Sequence, residues 1–381
     1  MKLLIIAIFR FIFKIIYKLS KVFIKEEYVI IAGYKARYLI GNNEYLFNYL
    51  AENNINDFEY YFYTKDIKVY NELNSKYPNK IIYPYTLKAF IVILKAKIIV
   101  LTSGYDDLSP FPLLSDKVII NLWHGIPMKN IGYKSTKNVN KYFRLFAKSI
   151  NYYTVSSNFD KEIIKEAFEF TDDNIAITGL QTNDYLNKDH SHVLKENDYL
   201  NNHKVILYAP TFRETGMSFL NFSELLPVKE LNALLEKHDA YFLYRSHFNT
   251  SDEQSLEQFT RIKSASTDIF PTAQPLLFYS DILISDYSGI FFDYLLMDRP
   301  IIFYNYDIES YRTHRGLIMN YEENTPGPKV NNQSDLLNAI EEYLINPDKD
   351  KEFREEIKKK FHKYEDGKAC ERTYELIKSL M

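Results

Sequence analysis

The chain has 381 residues, 46% hydrophobic and 25% charged, a balance that excludes a wholly disordered protein and predicts two domains at roughly 100–200 residues each. Its single cysteine, Cys370, excludes an internal disulfide and a cysteine-based zinc site, and favours a reducing compartment. The net charge of −3 averages two unlike parts, because residues 1–25 carry six basic and no acidic residues while the rest carries 41 basic and 50 acidic ones. An acidic body argues against nucleic-acid binding.

Residues 1–25 form a segment of their own. Basic residues at positions 10, 14, 18, 21 and 25 share an arc of roughly 80° on a helix, and the rest of the helix is almost entirely apolar. The longest uncharged run, residues 3–9, is shorter than the about 20 apolar residues of a membrane span, and Arg10 interrupts the apolar region of a signal peptide. We predict an amphipathic helix that lies on an anionic membrane surface. The alternative is a core helix with one solvated face.

From Glu27 onward, short β-rich runs alternate with helical stretches. The predicted strands are, in order, Tyr28–Ala32, Glu59–Tyr63, Lys80–Tyr83, Lys97–Leu101, Lys117–Leu122, Tyr152–Val155, Ile175–Thr178, Val205–Tyr208, Ala240–Tyr244, Asp281–Ser285 and Pro300–Tyr304. Gly41 and Asn42 open a helical pattern over Glu44–Glu52, and the last predicted helices are Asp335–Leu344, Lys349–His362 and Lys368–Leu380. This alternation predicts parallel sheets covered by helices.

A polar, charge-rich stretch over Asn187–His203 marks a domain boundary. The predicted organisation is therefore an amphipathic helix over residues 1–25, an N-terminal lobe over residues 26–190 and a C-terminal lobe over residues 201–381. Doubly wound lobes place ligands at the carboxyl ends of their strands, which predicts a site in the cleft between the lobes.

Two motifs that follow predicted strands carry candidate catalytic and phosphate-binding residues. In the first, His124 suits a general base near neutral pH, Gly125 lets the backbone turn close to a ligand, and Lys129 can meet a phosphate. In the second, Thr211 ends a strand and Arg213 follows with a fork of donors suited to phosphate oxygens. The alternatives are a packed turn with a satisfied histidine and a surface arginine.

Two further motifs also follow predicted strands. Arg245 and His247 alternate with Ser246, so both can face one side and bind a diphosphate. Ser285, Asp286, Ser288 and Gly289 precede an apolar helix, whose amino terminus can bind an anion. The alternatives are an ion-paired arginine with a solvated histidine, and an ordinary helix cap. The chain has no P-loop and no GxGxxG motif, and its histidine and aspartate pairs are not placed as metal ligands.

Together and in this order, the four motifs resemble the CDP-glycerol glycerophosphotransferase family of teichoic-acid and capsule primases and polymerases. The resemblance covers roughly residues 28–375 and includes Phe292–Tyr294, Asp298–Tyr304, Tyr311, Arg315, Gly316, His362, Asp366, Gly367 and Arg372. It implies an α/β fold of GT-B type, with two Rossmann-like lobes of parallel sheet, no metal and no other cofactor. It also implies a peripheral enzyme on the cytoplasmic face of the cell membrane.

The resemblance implies transfer of a polyol phosphate, glycerol phosphate first of all, from a CDP-polyol donor to a hydroxyl of a lipid-linked acceptor, with release of CMP. His124 and His247 are the expected catalytic residues, and His124 is the general base. His247, Arg213 and Arg245 are expected to hold the diphosphate, and Lys129 to reach the acceptor's phosphate. The other expected substrate-binding residues are Gly125, Thr211, Ser285, Asp286, Ser288 and Gly289. A GT-B glycosyltransferase that uses a nucleotide sugar is the alternative, and a non-catalytic polyol-phosphate or lipid-binding scaffold is a third hypothesis.

Overall fold

The structure, a computed structural model, describes residues 2–112, 116–135, 141–188, 197–211, 222–245 and 258–381. The chain forms two units. The first consists of Met1–His124, Asn138–Asp184 and Asp366–Met381, and the second of Gly125–Lys137 and Tyr185–Glu365.

The first unit is built around a parallel sheet with strand order β3-β2-β1-β4-β5-β6-β7. Its strands are β1 (Tyr28–Ile31), β2 (Glu59–Tyr63), β3 (Ile81–Ile82), β4 (Ala96–Leu101), β5 (Val118–Asn121), β6 (Tyr152–Val155) and β7 (Ile175–Ile177). Its helices are α1 (Lys2–Ser20), α2 (Asn42–Glu52), α3 (Ile67–Lys76), α4 (Leu87–Lys95), α5 (Lys141–Ser149), α6 (Asn158–Phe168) and, from the end of the chain, α15 (Ala369–Leu380).

The local sequence accounts for these elements. The central strands are continuous apolar runs because both faces of a parallel sheet are covered, and Val29, Ile30 and Ile31 of β1 are fully buried. Polar side chains begin the helices: Asp66 accepts from the first free N–H groups of α3, and Thr86 does the same for α4.

Helix α1 packs on the first unit through one face. Phe13, 1% exposed, contacts the rings of Phe90 and Phe111 edge-on at 5.2 and 5.0 Å between centroids, and the Tyr17 hydroxyl donates to Glu26 at 2.6 Å. The opposite face leaves apolar side chains exposed, namely Ile8, Phe11, Ile12, Ile15 and Leu19. In the part of the chain that the structure describes, no helix is both long enough and apolar enough to cross a bilayer. The predicted membrane contact of this segment stays a prediction.

The second unit is built around a parallel sheet with strand order β10-β9-β8-β11-β12-β13. Its strands are β8 (Lys204–Tyr208), β9 (Ala240–Tyr244), β10 (Ile262–Ser264), β11 (Ile282–Ser285), β12 (Ile301–Tyr304) and β13 (Lys329–Val330). Its described helices are α7 (Phe222–Leu225), α8 (Val228–Lys237), α9 (Gln274–Tyr279), α10 (Ile290–Tyr294), α11 (Ile308–His314), α12 (Tyr321–Asn324), α13 (Gln333–Ile345) and α14 (Lys351–Phe361).

The prediction of two Rossmann-like lobes of parallel sheet is confirmed. The two units nevertheless do not have the predicted ranges 26–190 and 201–381, because each unit is made of separate segments of the chain. Helix α15 lies in the first unit, where Asp184 accepts the N–H groups of Ala369 and Cys370 at 2.8 Å each. Residues 125–137 lie in the second unit, where Ile318 donates to the carbonyl of Met128 at 3.0 Å. These contacts join residues far apart in sequence, so composition does not mark them.

Candidate active site

The first unit has a topological switch point between β1 and β4, where consecutive connections leave in opposite directions and α/β proteins bind ligands. Gly33 and Thr102 follow these two strands. A Cβ on Gly33 would lie 2.5 Å from the Thr102 hydroxyl oxygen and 2.7 Å from the Asn43 amide nitrogen, so only glycine fits there. Beside it the buried carboxylate of Asp107 accepts backbone N–H groups from Thr102, Ser103 and Gly104 at 2.7–3.2 Å. The carboxyl edge of this sheet is therefore closely packed.

His124 lies on a strained turn at the end of the adjacent strand, β5. Trp123 has a left-handed backbone with φ 54°, which is costly for a large side chain. The Trp123 N–H donates to Asn121 Oδ1 at 2.9 Å. From helix α2, Asn42 Nδ2 donates to the carbonyls of both Leu122 and Trp123 at 3.1 Å each. The turn that presents His124 is thus held from both sides.

The imidazole of His124 is exposed, and contacts with Trp123 and Thr102 help to orient it. Its ring lies against the Trp123 indole at 4.1 Å between centroids, with the two planes tilted by 30°, and its Nδ1 lies 3.4 Å from the carbonyl oxygen of Thr102. A carbonyl only accepts, so this weak contact favours the tautomer with the hydrogen on Nδ1. Nε2 is then the basic nitrogen, as a general base requires.

The loop after His124 belongs to the second unit. Lys129 forms an antiparallel bridge with Leu317, and the Asn130 N–H donates to the carbonyl of Gly316 at 3.2 Å. The Lys129 side chain is half-buried. The predicted site residue Lys129 is therefore positioned by residues 316–318, and Gly125 begins the same loop.

The second unit has its own switch point between β8 and β11, and Thr211 and Asp286 meet there. Thr211 N–H donates to both carboxylate oxygens of Asp286, at 2.9 and 3.1 Å, and the Thr211 hydroxyl donates to Oδ1 at 2.6 Å. Asp286 is 1% exposed, and its backbone carbonyl accepts from the Tyr321 hydroxyl at 3.0 Å. Ser285 is fully buried, with its hydroxyl 3.3 Å from the carbonyl of Ala209. Asp286 and Ser285 therefore build this edge of the sheet.

Ser288 and Gly289 lie half-buried before helix α10. The Ser288 hydroxyl accepts from the N–H of Ile290 at 3.4 Å. A Cβ on Gly289 would lie 2.5 Å from the carbonyl oxygen of Ile126, so the approach of the 125–129 loop requires glycine at 289.

Arg245 directly follows β9 and is half-buried. Its Nη1 donates to the carbonyls of Ala265 and Phe270 at 3.3 and 3.0 Å, and burial lowers the pKa of the guanidinium to about 10. No carboxylate pairs with it among the residues that the structure describes. The other two predicted cations of the site, Arg213 and His247, lie outside the described residues.

Sequence reasoning missed one residue that shapes this site and gave no role to another. Asn42 was noted only as the start of a helix, yet it holds the turn before His124 and its Oδ1 accepts from the N–H of Thr182 at 3.1 Å. His362, part of the resemblance, is fully buried, donates from Nε2 to the carbonyl of Phe292 at 2.7 Å and has its pKa lowered to about 4 by burial. It is therefore a neutral structural histidine.

Comparisons with known proteins agree with the predicted fold and family. The model of the family described as CDP-Glycerol:Poly(glycerophosphate) glycerophosphotransferase matches residues 14–379. The teichoic acid ribitol-phosphate polymerase TarK of Staphylococcus aureus is 28% identical over 97% of this chain and 72% of its own length. The teichoic acid glycerol-phosphate primase of Bacillus subtilis is 26% identical over 78% of this chain and 77% of its own. The solved structure of the wall teichoic acid polymerase TagF superposes with a TM-score of 0.77 at 20% identity, covering 98% of both chains, and shows the same GT-B type of fold.

Proposed function

Because the chain belongs to the CDP-glycerol:poly(glycerophosphate) glycerophosphotransferase family, we propose that it transfers a polyol phosphate from a CDP-polyol to a hydroxyl of a lipid-linked acceptor and releases CMP. Glycerol phosphate is the unit that the family's description favours. Teichoic acid or a capsule-type polymer is the product class, since relatives of this chain are named as teichoic acid polymerases and primases. The observation that carries the proposal is the exposed imidazole of His124 on its braced turn at a strand end.

The chemistry is an in-line displacement at the donor's β-phosphorus. The acceptor oxygen forms a bond to that phosphorus while the bond to the bridging oxygen breaks, and CMP leaves with the electron pair. His124 Nε2 takes the proton of the attacking hydroxyl, a contribution of about 10²–10⁴-fold in rate. The Nδ1 contact with the Thr102 carbonyl stabilises the imidazolium that results.

Cations of the second unit neutralise the donor's diphosphate in this proposal. Arg245 brings a guanidinium that no described carboxylate neutralises, and Arg213 and His247 are proposed to join it. Lys129 is proposed to reach the acceptor's phosphate. Gly125 is proposed to let the backbone approach substrate, Gly289 to contribute indirectly by making room for the 125–129 loop, and the Ser288 hydroxyl to meet the donor.

The buried residues of the same motifs act indirectly. Thr211 has its N–H and hydroxyl committed to Asp286, so these two residues and Ser285 are proposed to bind substrate through the turn that they build. Their substitution should weaken donor binding together with the stability of the second unit.

The first test replaces the proposed base. We expect His124→Ala to abolish transfer while CDP-glycerol still binds, because the residue acts on the acceptor hydroxyl and leaves the donor contacts unchanged. His314→Ala, which removes another exposed histidine at the end of α11, is the matched control and should keep full activity. Activity that survives in His124→Ala would show that the base is misassigned.

The second test asks which donor is used. Purified enzyme is incubated with a synthetic lipid acceptor and, separately, CDP-glycerol, CDP-ribitol or UDP-sugars, and the released nucleotide and the product mass are measured. Release of CMP with a product heavier by one polyol phosphate is the expected result. Release of UDP without CMP would establish the glycosyltransferase alternative and refute the proposal.

We also propose that α1 holds the enzyme on the cytoplasmic face of the cell membrane. Phe11 and Leu19 are 67% and 69% exposed on its outward face, and no acidic residue precedes Glu26. The double variant Phe11→Asp with Leu19→Asp should lose binding to vesicles that contain phosphatidylglycerol. Ile345→Asp, at a 69% exposed position on α13, is the control and should bind as the wild type does. Equal binding by both variants would refute this role of α1.

A further inference from the structure

The segment that follows β1 has an unusual backbone. Tyr34, Lys35 and Ala36 all have positive φ, at 49°, 58° and 60°. For non-glycine residues this conformation costs roughly 1–3 kcal/mol each and persists only when surrounding contacts enforce it. Three hydrogen bonds do so here: Lys35 N–H to Asp107 Oδ1 at 2.8 Å, Lys65 N–H to the Ala36 carbonyl at 2.7 Å, and the Thr64 hydroxyl to the Arg37 carbonyl at 2.7 Å.

These contacts gather three basic residues at the carboxyl edge of the first sheet. The Lys65 N–H bonds to the carbonyl of Ala36, which lies between Lys35 and Arg37, so the backbones of the three basic residues lie side by side. Lys35 and Arg37 are exposed and Lys65 is half-buried. Burial lowers the pKa of Lys65, and the charges of Arg37 and Lys35 lower it further.

The neighbouring described acids form no ion pair with this basic cluster. Asp107 is fully buried and already accepts four backbone N–H groups. Asp106 is exposed, and its charge and that of Asp107 raise the pKa of Lys65. Asp66, the neighbour of Lys65, caps α3 by accepting its first N–H groups. In the described ranges, no carboxylate lies within ion-pairing distance of Lys35, Arg37 or Lys65.

Exposed tyrosine and isoleucine side chains lie beside the cluster. Tyr38 and Ile67 line the same surface depression as Lys65 and are 45% and 50% exposed. The cluster is also tied to the proposed membrane helix, because Asp107 binds Lys35 and the nearby carbonyl of Pro110 accepts from Arg10 of α1 at 3.0 Å. Exposed tyrosine beside basic residues is typical of proteins at the headgroup level of a bilayer.

We propose that Lys35, Arg37 and Lys65 bind a phosphate ester of a lipid at the bilayer surface. A guanidinium fork with two ammonium groups fits such an oxyanion. The phosphate can come from the acceptor, as the group that joins its lipid to its glycan, or from the headgroup of an anionic lipid. The first source rests on the proposed function, and the second does not.

The experiment uses the full chain with all three side chains neutralised: Lys35→Gln, Arg37→Gln and Lys65→Gln. The structural hydrogen bonds of this segment come from backbone groups, Thr64 and Asp107, so the variant should fold. The matched control is Lys229→Gln, Lys359→Gln and Lys363→Gln, three exposed lysines of the second unit. Circular dichroism and a thermal melt check that both variants are folded.

Two measurements distinguish the sources. If the cluster binds anionic lipid, binding to phosphatidylcholine vesicles with phosphatidylglycerol should fall at least about tenfold relative to the control, and binding to pure phosphatidylcholine should not change. If it binds the acceptor, the KM for the lipid-linked acceptor should rise about tenfold while the KM for CDP-glycerol stays constant. A variant that matches the control in both measurements overturns the proposal. If no CDP-polyol is turned over by the wild type, the proposed function fails and the vesicle measurement alone decides the site.

Discussion

Replacement of Asn42 by alanine is predicted to loosen the turn that carries His124. The Asn42 side chain is 2% exposed and makes three hydrogen bonds, two to the carbonyls of Leu122 and Trp123 and one from the N–H of Thr182. Each such bond contributes about 0.5–1.5 kcal/mol, and a buried group left without a partner costs about 1–3 kcal/mol. Leu122 keeps a contact from the Thr154 hydroxyl at 3.4 Å, so two groups are left unpaired. We expect a loss of about 3 kcal/mol in the free energy of unfolding.

The kinetic effect should be separable from this loss of stability. Without the hydrogen bonds from Asn42, Trp123 can leave its left-handed conformation, and the His124 imidazole then spends less time in its catalytic position. We expect kcat to fall at least about tenfold at a temperature where the variant is folded, with the KM for CDP-glycerol unchanged. Urea denaturation and initial-rate kinetics on the same preparation measure the two effects.

Asn53→Ala is the matched control on the same helix. Asn53 is exposed at the end of α2, and its amide donates only to the Tyr49 carbonyl at 2.9 Å, so the variant should differ from wild type by less than about 0.5 kcal/mol and keep its kcat. If Asn42→Ala matches Asn53→Ala in both stability and kcat, the idea that Asn42 holds the turn in place is refuted.

Three further substitutions test other contacts. Burial raises the pKa of Glu44 from 4.5 to about 7. Between these two pH values the folded chain binds more protons than the unfolded chain, so the free energy of unfolding falls as the pH rises from 4.5 to 7. In urea denaturation, Glu44→Gln should therefore match wild type at pH 4 and exceed it by about 3 kcal/mol at pH 8. Gly289→Ala should cost about 1–3 kcal/mol by the same assay, whereas Gly104→Ala, where the nearest atom to a new Cβ is 4.0 Å away, should cost less. Asp184→Ala should cost about 1–2 kcal/mol and speed hydrogen exchange at the amide of Cys370, and unchanged exchange would contradict its capping role.

The sequence predicts most of the sheet because its strands are short apolar runs ended by polar or glycine residues. Predicted strands Glu59–Tyr63, Tyr152–Val155 and Ala240–Tyr244 match β2, β6 and β9 to the residue. The strands that the sequence does not reveal are β10 and β13, which lie at the edges of the second sheet and have three and two residues. Each of them has a single apolar residue, Ile262 in β10 and Val330 in β13, so neither forms an apolar run that the sequence reveals.

Much of the candidate site is readable for the same reason, since His124, Thr211, Arg245 and Ser285 all end or follow strands. The contacts that hold these residues in place cannot be predicted from the local sequence. The partners of Asp286 and Asn42 lie 75 and 80 positions away along the chain, and such pairings depend on strand order, which local sequence does not encode. Asn42 therefore looked like an ordinary helix start.

The return of α15 to the first unit has a consequence for how the chain folds as it is made. Tyr374 and Ile377 belong to the same core cluster as Leu46 and Phe47, so the core of the first unit is incomplete when Asp184 leaves the ribosome. The about 180 residues between Asp184 and Asp366 take roughly 10–35 s to synthesise at about 5–20 residues per second. During that time the apolar surface of the first unit that α15 covers in the finished protein stays uncovered. A nascent chain stalled before α15 should therefore be bound by chaperones and cut by proteases at sites that the finished protein protects.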